Sequence, residues 1–425
     1  MRWNLKKIAL AALLLSLCEI SLAGPGLLFS FSTNNYVLHV NTIVPNHKYE
    51  DASIQLTSTG YTTYCPSSGK FISGSESCHF TVSDTLSANF QILGASGPVD
   101  ALFCLNGSIP AVCQKVQFSV SATAFITNFA NQFTGQGGTV SECFINDDTS
   151  PNPCTAFSDT SFYGPLGMAI NTAGTYAYIA NWNSSSGTQA SISICSINQS
   201  TGQLNSTCTA FPLTTGSHAV AITLNNDNTL AYIADSGNSK VIICPIISNG
   251  ASFGTCTSQS GNFNAPQTVQ LNPTGNYIYL GNYNTLDMSI CPINSDGSLG
   301  DCTRSSGDDT FKIPSGMRFR NNGTIAYISN QTPDPILLTS TISICNANPT
   351  TGALTGCISV TDLTFYFAAS GSTLIFIGDG YPFLFAPNTT TNSVSVCPIL
   401  PDNLLAPCVK YDNSTFDKPG SVIIR

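Results

Sequence analysis

Charge is scarce in this sequence: Asp, Glu, Lys and Arg supply 9% of its 425 residues, and acidic side chains outnumber basic ones 23 to 14. A chain so short of cations has no basic patch for nucleic acid or anionic lipid, whose binding depends on Lys and Arg. After the first 23 residues no stretch reaches the 18 or more continuous apolar residues of a membrane helix, which excludes a helical span from the remainder. Cys-x-x-Cys elements are missing, and with them the clustered ligand sets of zinc sites. Neither His-Glu-x-x-His nor Gly-x-x-x-x-Gly-Lys-Ser occurs, which removes the zinc-protease and P-loop chemistries. Histidine is nearly absent too: of four in the chain, only His218 lies beyond residue 122. No metal and no cofactor are expected.

The first residues have a definite pattern. Met1-Arg2-Trp3-Asn4-Leu5-Lys6-Lys7 is basic, Ile8 to Leu17 is apolar, and Ser21-Leu22-Ala23 supplies small residues before Gly24. That is the form of a secretory signal peptide over residues 1–23; the bulky Leu17 before Cys18 argues against a lipoprotein anchor. Cleavage after Ala23 removes Cys18 and leaves an even sixteen of the seventeen cysteines, which in an exported chain favours disulfides. Loss of Arg2, Lys6, Lys7 and Glu19 takes the formal charge from −9 to −11. The expected location is outside the cytoplasm, periplasmic or extracellular.

Residues 24–120 alternate apolar and polar side chains in short runs separated by Gly, Pro, Ser and Asn, among them Tyr36-Val-Leu-His-Val-Asn-Thr-Ile and Val116-Gln-Phe-Ser-Val. Seven such runs predict an immunoglobulin-like β-sandwich. Proximity favours pairing Cys65 with Cys78 and Cys104 with Cys113, with the other connectivities open.

From residue 121 to 425 a different order holds. Ser-Ile-Ser-Ile-Cys195 closes at Cys208 after a Thr-Gly turn; Asp-Met-Ser-Ile-Cys291 closes at Cys302, and Thr-Ile-Ser-Ile-Cys345 at Cys357. Six leading cysteines, Cys143, Cys195, Cys244, Cys291, Cys345 and Cys397, recur about every 50 residues, a propeller-blade period. Each repeat reads as four strands. The inner one follows a proline or small residue, as in Pro165-Leu-Gly-Met-Ala-Ile. The second is the most regular, running from Ala124-Phe-Ile-Thr-Asn128 and Ala177-Tyr-Ile-Ala-Asn181 to Ile375-Phe-Ile-Gly-Asp379. The third and outer strands carry one cysteine each. Adjacent antiparallel strands bring facing residues within disulfide reach, which pairs Cys143–Cys154, Cys195–Cys208, Cys244–Cys256, Cys291–Cys302, Cys345–Cys357 and Cys397–Cys408. The terminal Lys418-Pro-Gly-Ser-Val-Ile-Ile-Arg425 matches an inner strand with nothing after it, so it is expected to complete the first blade. The fold class is therefore all-β: an Ig-like sandwich followed by a six-bladed β-propeller closed by the C-terminal strand. The Asn or Asp ending each second strand is expected to cap the turn that follows. The aromatic residue at its second position is expected to pack between blades.

The unit Pro-x-Gly-Met-Ala-Ile-Asn-x-x-Gly-Thr-x-Ala-Tyr-Ile-Ala-Asn, ending in Ser-Ile-Ser-Ile-Cys, resembles the YVTN-type β-propeller repeat of the lactonase-like superfamily. Its cysteine-bearing form is similar to exported repeat proteins of Gram-negative bacteria, some with an N-terminal Ig-like domain. The resemblance implies a propeller fold and, for some members, lactone hydrolysis at the central channel; lactonase-like propellers usually have seven blades.

A site on a repetitive scaffold should stand where the repetition breaks. Arg318 and Arg320 replace Ala169 and Asn171 of the second repeat, and Arg425 falls in the column of Arg320. With Lys312, they could receive an anionic ligand in the channel, or pair with Asp308, Asp309 or Asp417. His218 stands just before an inner strand. Glu142 replaces an Ile194-type residue in the first repeat and is expected to be a solvated exception at the ring's seam. With acid and base groups so few, the preferred expectation is an exported, non-enzymatic binding protein with a protein or small-molecule ligand at the propeller face. The alternative is a lactonase-like hydrolase.

Overall fold

In the computed structural model the chain divides into two compact units, Met1–Ser121 and Ala122–Arg425. The structure describes the strands of the first unit named below and, in the second, residues 122–129, 137–145, 150–183, 189–198, 201–320, 323–331, 340–365 and 383–424. The expected signal peptide and Arg425 lie outside the described residues.

The first unit holds two antiparallel sheets. One has the order Phe29–Asn34, Val37–Thr42, Ser87–Leu93, Thr62–Cys65, Lys70–Ser73; the other Cys78–Val82, Glu50–Leu56, Gly97–Leu105, Val112–Val120. The seven expected strands are present, and Thr62–Cys65 and Lys70–Ser73 are additional. These two are only four residues long and alternate too briefly to register as a period. The ladder sets Cys104 opposite Cys113, and both Cys78 and Cys104 are disulfide-bonded.

The second unit is a succession of small antiparallel sheets. The first runs, outer to inner, Pro151–Phe157, Thr139–Ile145, Ala122–Asn128, Pro419–Ile424. Its inner strand is thus the C-terminal strand, with Phe125 opposite Ile423. The second runs, inner to outer, Pro165–Ile170, Tyr176–Asn181, Gln189–Ile197, Leu204–Thr215. The third is Ala219–Leu224, Leu230–Asp235, Lys240–Ile247 with Ser252–Phe253 and Thr257–Ser260, and the fourth Pro266–Leu271, Tyr277–Asn282, Asp287–Pro292, Thr303–Ser305. The fifth is Ile313–Phe319, Ile325–Gln331, Thr341–Ala347, Leu354–Thr361; of the sixth, Phe383–Asn388, Ser393–Pro398 and Val409–Asp412 are described. Inner strands of successive sheets are neighbours, and Pro419–Ile424 lies beside both Pro165–Ile170 and Phe383–Asn388.

The sixth sheet corrects the sequence reading. The partner of Ser393–Pro398 is Phe383–Asn388, with Leu384 opposite Cys397, and not the Ile375–Asp379 run, which lies outside the described residues. Both runs have the same pattern; the four residues between Asn388 and Ser393 make a tight hairpin, whereas a connection from Asp379 would need a much longer loop.

Second strands are apolar at nearly every position because sheets stack face to face and bury both sides. Tyr178, Ala180, Ile192 and Ile194 of the second sheet pack on Ile222, Ile233, Ile242 and Phe253 of the third. Tyr279 and Ile290 of the fourth meet Met317 and Phe319 of the fifth. The contact is tight: a Cβ added at Gly281 would collide with the Pro314 carbonyl of the next inner strand, so only glycine fits there.

The strand-two tyrosines do more than fill space. Tyr178 Oη donates to Gly250 O at 2.8 Å, Tyr232 to Gly297 O at 2.9 Å, Tyr279 to Gly352 O at 2.8 Å and Tyr327 to Asn403 O at 2.7 Å. Each bond ties one sheet to the outer hairpin of the next. Burial pushes the Tyr178 and Tyr232 hydroxyls up to about 12, so they stay protonated donors. Tyr279→Phe is expected to lower stability by about 1–2 kcal/mol, since it leaves a buried carbonyl without its donor. Denaturant unfolding equal to wild type would show that water replaces the hydroxyl.

The Asn residues ending the second strands also reach further than the following turn. Asn181 Nδ2 donates to Ser193 Oγ at 2.9 Å, and Asn128, Asn282, Asn330 and Asn388 donate to Ser141, Ser289, Ser343 and Ser395, each at 2.8 Å. The serines pass the bond on to carbonyls of the segments that enter the inner strands, Thr415, Ser161, Asn262 and Thr310, and in the sixth sheet to the Thr364 carbonyl. In these five sheets the expected turn cap is replaced by a relay that fastens the third strand to the incoming segment; the cap is made at Asp235, which accepts from Asn238 N in the following turn.

Candidate functional site

The third sheet breaks this relay. Asp235 stands where the others have Asn, and Lys240 and Ile242 occupy the positions of Ser191 and Ser193. With no hydroxyls to receive a donor, a carboxylate replaces the amide and accepts three N–H bonds. His218 N and Asn238 N reach Oδ1 at 2.9 and 3.2 Å, and Asn238 Nδ2 reaches Oδ2 at 2.9 Å. These bonds fix the backbone at the start of the inner strand and hold His218 in place.

The ring of His218 stacks on Trp182 of the second sheet at 4.4 Å between centroids and 23° between planes. Trp182 meets Phe129 of the first sheet edge-on at 6.5 Å. Phe129 and Trp182 directly follow second strands and His218 directly precedes an inner strand, all on the end of the unit where inner strands begin. The corresponding positions in the later sheets are Ser236, Tyr283, Gln331 and Thr389. Tyr283 is 45% exposed, and Gln331 is buried with its Nε2 unpartnered. The stacked Trp182–His218 pair is half-buried at this end of the unit, and aromatic faces of this kind can stack on a cyclic ligand. Sequence reading singled out His218 but missed Trp182. The available signal was a tryptophan in one repeat where the others have Phe, Ser, Tyr, Gln and Thr.

The other residues expected at the site lie elsewhere. Arg318 is the penultimate residue of the inner strand Ile313–Phe319, five residues beyond the position matching His218, roughly 16 Å of strand. It donates to Gln270 Oε1 on the fourth sheet's inner strand. Arg320 leaves the end of the strand and donates to Asn403 Oδ1 on the sixth sheet's outer turn, where Tyr327 also binds. Lys312 is exposed, and its N donates to Asn330 Oδ1 at 3.3 Å. His218 and the arginines therefore occupy opposite ends of the inner strands and do not converge. Asp308, offered as an arginine partner, instead accepts from Cys357 N at 2.8 Å.

Glu142 is not solvated. It lies opposite Phe125 in the first sheet and is 7% exposed, and its Oε1 accepts from Leu204 N of the second sheet at 2.6 Å. Phe125 has no hydroxyl for the next hairpin, and Glu142 makes that link from the neighbouring strand. Burial pushes its carboxyl up to about 7, with the Leu204 hydrogen bond opposing the rise.

Gly250-Ala251-Ser252-Phe253-Gly254 has the letters of a hydrolase nucleophile elbow, a pattern that requires a strand-to-helix turn. Here it is an outer hairpin: Phe253 stacks on Tyr178, and Ser252 Oγ donates to Phe253 O. No His/Cys/Asp/Glu group suited to a metal occurs among the described residues, and no described helix is long and apolar enough to cross a membrane.

Residues 143–310 match the family described as lactonase, 7-bladed beta-propeller. A comparison with curated proteins finds no match. Among solved structures, a provisionally assigned 6-phosphogluconolactonase from Bacteroides fragilis is similar, with a TM-score of 0.52 and 14% identity over 89% of this chain and 98% of that one. A functionally unknown protein from Desulfotomaculum acetoxidans superposes at 0.51 with 15% identity over 77% and 95%. The periplasmic gluconolactonase of Pseudomonas aeruginosa superposes at 0.50 with 9% identity over 89% and 99%. At these identities the likeness is one of fold.

Proposed function

We propose, taking the lactonase-like β-propeller as premise, that this chain is an exported hydrolase of sugar lactones whose reacting face is the end bearing His218, Trp182 and Tyr283. Six blades closed by the C-terminal strand, an Ig-like first unit and a cleaved leader complete the reading. The observation that carries it is the stacked His218–Trp182 pair, which lies inside the stretch matching the lactonase family. His218 is the single imidazole of the second unit. The names of the similar structures point to aldonolactones as the substrate class. In the proposed step His218 takes a proton from water as the water oxygen bonds to the lactone carbonyl carbon. The ring C–O bond then breaks, and the proton returns to the departing ring oxygen, giving the open hydroxy acid. Tyr283 supplies a face for the sugar ring and Gln331 a donor for its hydroxyls.

The test is proton release from D-glucono-1,5-lactone and related lactones, measured at constant pH with purified, disulfide-intact protein. Turnover is expected above the uncatalysed rate, with a fall of 100-fold or more in His218→Ala at unchanged melting temperature. Binding of lactones without turnover would instead establish the non-enzymatic reading that the shortage of acid and base groups first suggested.

A further inference from the structure

Arg318 is half-buried near the end of the fifth sheet's inner strand. Burial pulls its pKa down to about 10, so it remains charged at neutral pH. Its one hydrogen-bond partner among the described residues is Gln270 Oε1, a neutral group, and Gln270 Nε2 is committed to Leu271 O at 2.9 Å. One of the guanidinium's five N–H groups is thereby occupied. The same column in other sheets holds Ala169, Thr223 and Gln270, each opposite an aromatic second-strand residue as Arg318 is opposite Tyr327. The repeat itself therefore does not call for a cation. A half-buried charge with no acidic partner among the described residues is costly, and a guanidinium with free donors is matched by a planar anion bound in a fork.

We propose that Arg318 and Gln270 form a carboxylate-binding site inside the propeller, distinct from the His218 face and independent of whether that face is catalytic. The fifth sheet's inner strand supplies the guanidinium, and Gln270 turns it across to the fourth. Among the described residues Arg318 alone is offered to the ligand, and one guanidinium balances one negative charge, which favours a carboxylate over a phosphate dianion. Arg320 takes no part, because Asn403 holds it.

Calorimetric titration of the full, oxidised protein with D-gluconate, with neutral D-glucitol and inorganic phosphate alongside, tests the site. Gluconate is expected to bind one equivalent, glucitol not at all, and phosphate more weakly than gluconate. Arg318→Met should weaken gluconate binding at least tenfold. Gln270→Glu places a carboxylate of the protein against the guanidinium, so it should raise the melting temperature while abolishing gluconate binding. That variant keeps the test decisive should Arg318→Met fold poorly. Absence of gluconate binding to wild type, or unchanged binding in Gln270→Glu, would overturn the site; tighter phosphate than gluconate binding would overturn the carboxylate assignment.

Discussion

Cys195→Ala combined with Cys208→Ala is expected to destabilise the second unit by about 3 kcal/mol, the chain-entropy value for a closed loop of this size. The pair closes a separation of 13 residues with its α-carbons 4.3 Å apart, directly opposite in the ladder. Five further pairs, with separations of 11 or 12 residues, repeat the arrangement at Cα distances of 4.0 to 4.2 Å. Each joins the third strand to an outer strand whose other side is exposed. Leu204–Thr215, for example, buries only Leu204 and Leu213. An outer strand with so little apolar burial is held chiefly by its ladder and its disulfide. Reduction of all six bonds is therefore expected to fray the outer strands first, seen as hydrogen exchange there before the second strands. Simultaneous exchange of both would show that the sheets open as wholes.

Glu142→Gln is expected to stabilise the protein at pH 8 by up to about 3 kcal/mol and to leave it nearly unchanged at pH 4. The carboxyl rises from 4.5 to about 7 on folding, so between these values the folded chain binds a proton that the unfolded chain has lost. Stability contributed by the neutral acid is full below pH 4.5 and is lost as the pH rises to about 7; a tenfold change in acid strength on folding corresponds to about 1.4 kcal/mol. Gln preserves the acceptor for Leu204 N and removes the ionisation. Denaturant unfolding at a series of pH values gives the comparison. Parallel wild-type and Glu142→Gln profiles would show that water reaches the carboxylate and screens it.

Much of this architecture is legible in the sequence because the signals are local and repeated. A cysteine on each of two adjacent strands, with a short turn between, determines both the hairpin and its bond. The invariant frame of the second strands determines their register in five sheets. It failed in the sixth, where Ile375–Asp379 and Phe383–Asn388 share a pattern and hairpin length decides between them. Bonds between sheets were not legible. The Asn–Ser relay and the Tyr-to-hairpin bonds join groups whose spacing along the chain has no meaning until the sheets are stacked. For the same reason Glu142 read as solvated: strand alternation shows which face it is on, and only the second sheet's Leu204 shows that the face is covered. Of the expected site residues, Arg318 and Arg320 are two positions apart yet serve different neighbours, because the strand ends between them.

The pairing of Pro419–Ile424 with Ala122–Asn128 has a further consequence. Ile424 lies opposite Ala124, so the two ends of the second unit are adjacent edges of one hairpin that lacks only its turn. The order of the chain is therefore incidental to this unit's architecture. A two- or three-residue linker after Ile424, with new termini in the exposed turn at Ser295–Asp296, would give a permuted second unit with its strand pairings kept.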